Sequence, residues 1–272
     1  LERAFLNCEK LQRHMRFLLN KGGLYKVYNN NLLYHGCVPL NEDGSLKNVR
    51  IYGHSYKGKG LYEVLESYVR KGFYALDGKE KERGKDMMWY IWLSENSPLF
   101  GKDKMATFER YFLAEKETHK EKKNPYYCLL ENEKVVDRIM DEFGLQNECR
   151  HIINGHVPVK TKNGESPIKC GGKVLVIDGG FSRAYQKETG IAGYTLIYNS
   201  YGLILAAHEP FESTEAAIEK ESDIHSDSIV VKRVLERKLV GDTDVGKDLK
   251  EQIEDLECLL EAYRSGKIAE RL

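Results

Sequence analysis

The segment IINGHVPVKTKNGESPIKCGGKVLVIDGGFS, residues 152–182, decides the fold of this chain. It contains two apolar runs typical of strands, and each run ends in a polar turn, NGH at 154–156 and DGG at 178–180. A histidine that directly follows a strand, with glycine before it, lies where loops present side chains to a ligand. The same letters also suit a simple hairpin in which the glycines make turns and His156 has no further role.

An earlier part of the chain repeats this arrangement. The sequence predicts two short strands, at 25–28 and 31–35, and the second delivers His35 followed by Gly36. Two histidines at strand ends can converge on one metal ion, because imidazole is a common ligand of transition metals. Spacing alone leaves a chance repetition of two turns equally open.

Composition excludes several functional classes. The chain has 272 residues, with 42 basic and 42 acidic side chains, so it offers no strong electrostatic case for nucleic acid. No apolar run approaches the ~20 residues of a membrane span, and the six cysteines form no CxxC pair. We therefore expect a cytoplasmic protein with no nucleic-acid or membrane partner. Because it begins at Leu1, inside a predicted helix, we also expect a fragment of a longer protein.

Apolar spacing predicts the remaining elements of an α/β fold. Helices are expected over 61–71, 107–112, 132–143, 229–239 and 248–264, and strands over 191–199 and 203–208. The strands that follow 152 are separated by short turns, which favours an antiparallel meander over a βαβ unit.

Two apolar groups are candidates for contacts. The segment MMWYIWL, 87–93, is expected to be buried, with a stacking platform for bases or sugars as the alternative. The helix at 248–264 carries apolar residues alternately four and three apart, at Leu249, Ile253, Leu256, Leu260 and Tyr263. Two heptads are too few for an independent coiled coil, so this stripe packs onto the body of the protein or joins the subunits of a homo-oligomer.

Several of these segments together carry a family resemblance. LLYHGCVPL at 32–40 and NGHVPVK at 154–160 resemble the late strand–histidine elements of calcineurin-like metallophosphoesterases. With these, SPLFGKDKMATFERYF (97–112), KNPYY (123–127) and IDGGFSRAYQKETGIAGYTLIYNS (177–200) resemble the class III fructose-1,6-bisphosphatases of firmicutes. The likeness runs over nearly the whole chain.

This resemblance implies an architecture and a metal site. The fold would be part of a four-layer α/β/β/α metallophosphoesterase sandwich, with a mixed or antiparallel C-terminal sheet and helical additions. Residues 1–212 would form the C-terminal half of that domain, with a helical insertion at about 61–145, and 213–272 a helical extension. His35 and His156 would be two ligands of a two-metal centre, most simply of Mn²⁺. The family's earlier motifs, Asp-x-His, Gly-Asp-x-x-Asp-Arg-Gly and Gly-Asn-His-Glu, are absent from this sequence.

Cations near these turns are candidates for binding substrate phosphate, because ammonium and guanidinium groups make charge-assisted bonds to its oxygens. They are Lys102, Lys104, Arg110, Lys160 and Arg183, and Arg183 is preferred because it follows the DGG turn. The first three equally suit an ordinary surface loop. Asn154 and Asp178 would support and orient a metal-bound histidine; alternatively, Asp178 only caps its own turn.

The leading hypothesis is the C-terminal part of a metal-dependent fructose-1,6-bisphosphatase of gluconeogenesis. Its partners would be fructose 1,6-bisphosphate and the N-terminal part of the same protein, and the isolated chain is expected to be inactive. Two alternatives remain: another metallophosphoesterase, acting on phosphoproteins or nucleotides, and a non-catalytic regulatory or assembly module.

Overall fold

The computed structural model describes residues 1–76, 78–146, 149–179, 182–221 and 226–269. Its helices are α1 (Glu2–Leu6), α2 (Glu9–Lys21), α3 (Gly58–Tyr74), α4 (Gly78–Leu93), α5 (Thr107–Phe112), α6 (Tyr126–Leu129), α7 (Glu133–Glu142), α8 (Arg183–Thr189), α9 (Thr214–Glu219) and α10 (Asp244–Arg264). Its strands are β1 (Tyr25–Tyr28), β2 (Asn31–Tyr34), β3 (Val49–Ile51), β4 (His54–Tyr56), β5 (His151–Asn154), β6 (Ile168–Lys169), β7 (Val174–Val176), β8 (Gly193–Asn199), β9 (Gly202–His208) and β10 (Ser226–Arg233). The expected α/β class is confirmed.

The chain divides into two compact units, Leu1–Gly193 and Tyr194–Leu272. The first unit is built on a five-stranded sheet in the order β1-β2-β5-β7-β6. Its central strands β2, β5 and β7 run parallel, whereas the outer strands β1 and β6 are antiparallel to their neighbours. The sheet is therefore mixed.

The expectation of an antiparallel meander after residue 152 is wrong for β5 and β7. These strands are parallel, with Ile152 beside Val174 and Asn154 beside Val176. The chain crosses back between them through short turns and β6, which pairs with the edge of β7. All residues of β5 and β7 are buried, as is typical of parallel strands that are covered on both sides.

Helix α7 contributes an apolar face to the core of the first unit. Asn132 caps this helix by accepting a hydrogen bond from the backbone N–H of Val135. The helix then buries an apolar stripe of Val135, Val136, Ile139 and Met140. On β2 the side chains alternate, so Leu32 and Tyr34 are buried while Leu33 is 38% exposed on the opposite face.

Helices α3 and α4 form a closely packed pair. Gly72 and Gly84 meet at the crossing, where a Cβ built on either would lie within 2.4 Å of the Cα of the other. The expectation that 87–93 is buried is only partly correct. Met87 and Ile91 enter the core, but Trp89 and Trp92 are more than half exposed, because the segment is helical and only one of its faces reaches the core.

The second unit contains a three-stranded sheet in the order β10-β9-β8, with helices α9 and α10. The predicted helix at 229–239 is wrong, since β10 pairs antiparallel with β9 over much of this stretch. Its Ile229-Val230-Val231 run is β-branched, which favours a strand. The predicted helix at 248–264 is confirmed within α10. No helix in the described ranges is long and apolar enough to cross a membrane.

Candidate metal centre

Two histidines meet beyond the ends of β2 and β5. Because these strands are parallel neighbours, the residues that follow them leave the same edge of the sheet. His35 Nε2 lies 3.0 Å from His156 Nδ1, and the ring centroids are 4.9 Å apart. The backbone N–H of Gly155 donates to the carbonyl of His35 at 2.9 Å, which ties the two loops together. The convergence expected from the sequence is therefore present.

The hydrogen bonds of His156 show which ring nitrogen carries the proton and which presents its lone pair to His35. Nε2 lies 3.0 Å from the carbonyl oxygen of Phe100, and a carbonyl only accepts, so Nε2 carries the proton. Nδ1 is then unprotonated in the neutral ring and accepts a hydrogen bond from Nε2 of His35, so a metal ion between the rings would replace that shared proton. A backbone carbonyl bonded to the remote nitrogen is the usual way in which a metal-binding histidine is oriented.

His156 occupies an unusual backbone conformation. Its φ is +68°, and the N–H of Val157 donates to the carbonyl of Gly155 at 2.8 Å, which closes a tight turn around it. Positive φ at a non-glycine residue is uncommon and costs energy. The turn holds the imidazole against His35, so the strained backbone positions the ring within the histidine pair.

The pKa of His156 is lowered. Burial is the main cause, and the neighbouring His35 and the charge of Lys102 act in the same direction, whereas the bond to Phe100 and the charge of Asp178 oppose them. The lowered pKa keeps the ring neutral, and therefore able to coordinate a metal, near pH 7.

The loop around His35 is fixed by close backbone packing. A Cβ on Gly36 would lie 2.3 Å from the carbonyl oxygen of Pro98, so only glycine fits at this position. The N–H of Cys37 donates to that same oxygen at 2.9 Å. The side-chain amide of Asn154 donates to the carbonyl of Gly36 at 3.0 Å and links the two histidine loops.

Asn154 and Asp178, the residues expected to support the histidines, both lie beside them. Asn154 is 2% exposed, and among the described residues its Oδ1 has no hydrogen-bond partner. The Asp178 side chain lies next to Gly155, since a Cβ built there would be 3.4 Å from its Cβ. The carbonyl of Asp178 accepts from the N–H of Val159, which anchors the loop after His156.

Two of the expected phosphate-binding cations meet at one carboxylate. Lys102 and Arg110 share the carboxylate of Glu121, at 2.9 and 3.2 Å. Lys104 donates to the carbonyl of Thr118 at 2.8 Å. The charge of Lys102 acts on His156.

Two other expected cations follow the late turns. Lys160 is exposed on the loop that follows His156. Arg183 is the first residue of α8, and its side chain lies outside the described part of the chain, as do Gly180 and Phe181.

Sequence reasoning missed the contribution of the segment 97–101 to this centre. It left open a phosphate-binding turn and an ordinary surface loop there, but the carbonyl of Pro98 holds the loop of His35 and that of Phe100 holds His156. The signal for this contact was weak, namely an apolar Pro-Leu-Phe sequence inside a polar loop.

The pair fits two adjacent ligands of one metal ion. With metal–nitrogen distances of about 2.1 Å, two nitrogens at right angles around a metal lie roughly 3.0 Å apart. This matches the observed 3.0 Å separation. The described residues contain no group of three or more His, Cys, Asp or Glu side chains that could hold a metal, so the pair supplies only part of a coordination shell.

A large apolar groove opens next to this centre. It has a volume of about 1170 Å³ and is lined by His35, Asn154 and Gly155 together with apolar side chains of α2, α3, α4 and the sheet. Leu33, Ile153 and Ile177 form its sheet wall. This is the sheet face on which Leu33 lies, opposite the buried Leu32.

Fold and site together define an α/β protein with a histidine pair suited to a metal. A family model described as firmicute fructose-1,6-bisphosphatase matches residues 1–265. The chain therefore belongs to the firmicute fructose-1,6-bisphosphatase family.

Curated relatives support this assignment. Proteins named fructose-1,6-bisphosphatase class 3 from Clostridium novyi and Alkaliphilus metalliredigens are each 59% identical to it over 100% of the chain. A protein of the same name from Clostridioides difficile is 60% identical over 98%. The chain spans about two-fifths of the length of these relatives, 40 to 41%. No solved structure matches.

Proposed function

We propose that this chain forms part of the active centre of a metal-dependent phosphatase that hydrolyses fructose 1,6-bisphosphate to fructose 6-phosphate and phosphate. The observation that carries the proposal is the His35–His156 pair. The two histidines follow the parallel strands β2 and β5, and their facing ring nitrogens lie 3.0 Å apart. The names of the relatives supply the substrate. The full activity belongs to a protein of the relatives' length.

The metal is proposed to be Mn²⁺, held by His35 and by Nδ1 of His156. Imidazole with carboxylate and amide oxygens suits this ion, and the unpartnered Oδ1 of Asn154 is a further oxygen beside the pair. When bound, the two divalent ions of such a centre would supply a hydroxide nucleophile and would neutralise charge on the substrate phosphate. Because the described residues hold no larger ligand cluster, the remaining ligands are proposed to come from residues outside this chain.

Other residues of the chain orient the histidine pair and set the protonation of His156. Phe100 fixes the tautomer of His156, and burial keeps the ring neutral. Lys102 is a candidate for a phosphate contact, since its charge acts on His156. It would have to exchange its bond to Glu121 for one to the substrate.

The open groove supports the proposed sandwich. On its sheet wall Leu33 is 38% exposed, and apolar surface that faces an open groove marks a contact. We propose that a second sheet, from the remainder of the longer protein, covers it. The metal centre would then lie at the rim between the two sheets, where His35 and Asn154 border the groove.

The test uses a protein of the relatives' full length. His156→Ala should lower fructose 1,6-bisphosphate hydrolysis by at least about 100-fold and reduce bound Mn²⁺ measured by mass spectrometry. His54→Ala, a substitution of an exposed histidine on β4, is the matched control and should change neither.

Two outcomes would contradict the proposal. Wild-type hydrolysis and metal content in the His156→Ala protein would point instead to an assembly module. Faster hydrolysis of a phosphopeptide or a nucleotide than of the sugar bisphosphate would change the substrate. The 272-residue chain alone is expected to show no hydrolysis.

A further inference from the structure

Helix α10 carries an apolar stripe that the described part of the chain leaves exposed. Its members recur four and three residues apart, and each is between 39 and 64% exposed: Leu249, Ile253, Leu256, Leu260 and Tyr263. Charged residues fill most of the remaining surface of the helix. An amphipathic helix of 21 residues normally gains its stability by packing this face, so the stripe requires a partner.

The stripe has the pattern of a coiled-coil seam. The 4-3-4-3 spacing assigns Ile253 and Leu260 to the a positions and Leu249, Leu256 and Tyr263 to the d positions of a heptad. No charged residue interrupts these positions.

We propose that α10 pairs with α10 of a second copy of this chain, in antiparallel orientation. If Ile253 of one copy lies beside the partner's Leu256, Leu249 then lies beside the partner's Leu260. The same arrangement holds for both copies, as a twofold interface requires.

The charges beside the seam favour this orientation. In the antiparallel pair, Lys250 would exchange its 3.1 Å bond to the carbonyl of Gly241 for one to the partner's Glu257, so two opposite-charge contacts would flank the apolar layers. In a parallel pair, Lys250 would face Val245 and Glu257 would face Gln252, with no charge pairing. The sequence is thus complementary to its own reversed copy.

The first experiment measures the mass of the 272-residue chain by sedimentation from about 1 to 100 µM, the range in which a short interface dissociates. The wild-type chain should be dimeric at the upper end. Leu256→Glu should raise the dimer dissociation constant at least about 100-fold, because each copy would bury a charge in the seam. Leu235→Glu makes the same change at a fully exposed position outside the helix, and should leave the constant unchanged.

A charge exchange tests orientation without disturbing the apolar layers. Lys250→Glu should weaken the dimer about tenfold by placing like charges together, and the double variant Lys250→Glu/Glu257→Lys should restore it. A monomeric wild-type chain at 100 µM, or a dimer that Leu256→Glu leaves intact, would overturn the proposal. A dimer that ignores the charge exchange would overturn the antiparallel arrangement. Circular dichroism of each variant confirms that helix content is retained.

Discussion

Substituting Gly36 by alanine should distort the loop that holds His35, and so disturb the proposed metal centre without changing either histidine. The added Cβ would lie 2.3 Å from the carbonyl oxygen of Pro98 and 3.3 Å from that of Leu99. Since a carbon and an oxygen normally approach no closer than about 3.2 Å, the loop must shift by almost 1 Å. That shift would break the 2.9 Å bond from Cys37 to Pro98 and disturb the bond from Asn154 to Gly36.

The expected loss can be worked out from these contacts. Overpacking costs about 1–3 kcal/mol and a lost buried hydrogen bond about 1 kcal/mol, so the free energy of unfolding should fall by about 2–4 kcal/mol. Urea denaturation followed by tryptophan fluorescence measures it, because Trp89 and Trp92 both belong to the first compact unit. Because the 2.9 and 3.0 Å bonds fix the loop that carries His35, the same substitution should also weaken Mn²⁺ binding at the proposed centre.

Gly60→Ala is the matched control. Gly60 lies in helix α3, and a Cβ there meets nothing within 4 Å. The control should leave stability unchanged or raise it by up to about 1 kcal/mol. A loss below about 0.5 kcal/mol for Gly36→Ala would refute the close packing behind His35.

Two further predictions concern groups in the same unit. Burial raises the pKa of Asp137, but ion pairs with Lys173 and Arg150 lower it by more, so the folded-state pKa lies below its usual value. Asp137→Asn should therefore cost about 1 kcal/mol at pH 7. The difference from wild type should shrink as the pH falls below about 3.9, the ordinary aspartate pKa, and should disappear only below the lowered folded-state pKa, where the Asp137 carboxyl is neutral in both the folded and the unfolded protein; a difference that stays constant down to the lowest pH at which the protein folds would contradict this. Burial also raises the pKa of Cys37 to about 12, so native protein at pH 8 should leave Cys37 unlabelled by iodoacetamide while the exposed Cys258 reacts, and equal labelling by mass spectrometry would contradict it.

Local patterns were sufficient to predict several elements and to suggest the histidine pair. The 4-3 spacing predicted α10. Two strand–histidine turns suggested that His35 and His156 meet, with a chance repetition equally open until the family resemblance favoured the pair. Both predictions depend on side-chain periodicity and on where strands end, which a sequence displays directly.

Long-range relations were not visible in the same way. Strand direction depends on how the chain crosses between β5 and β7, and short turns suggested the wrong answer. The bond from His156 to Phe100 joins residues 56 positions apart, so no local pattern marks it. Burial of the aromatic segment 87–93 was overestimated, because its composition does not show which face of a helix meets the core.

The most direct test of the account follows the histidine ring signals of the 272-residue chain by NMR during titration with Mn²⁺. Paramagnetic broadening falls steeply with distance, so signals of residues that bind the ion are lost first. The account predicts that, of the eight histidines, His35 and His156 broaden first and together, and that His156→Ala abolishes the preference. Uniform broadening of all the histidines, or loss of other signals before these two, would contradict a metal centre built on this pair.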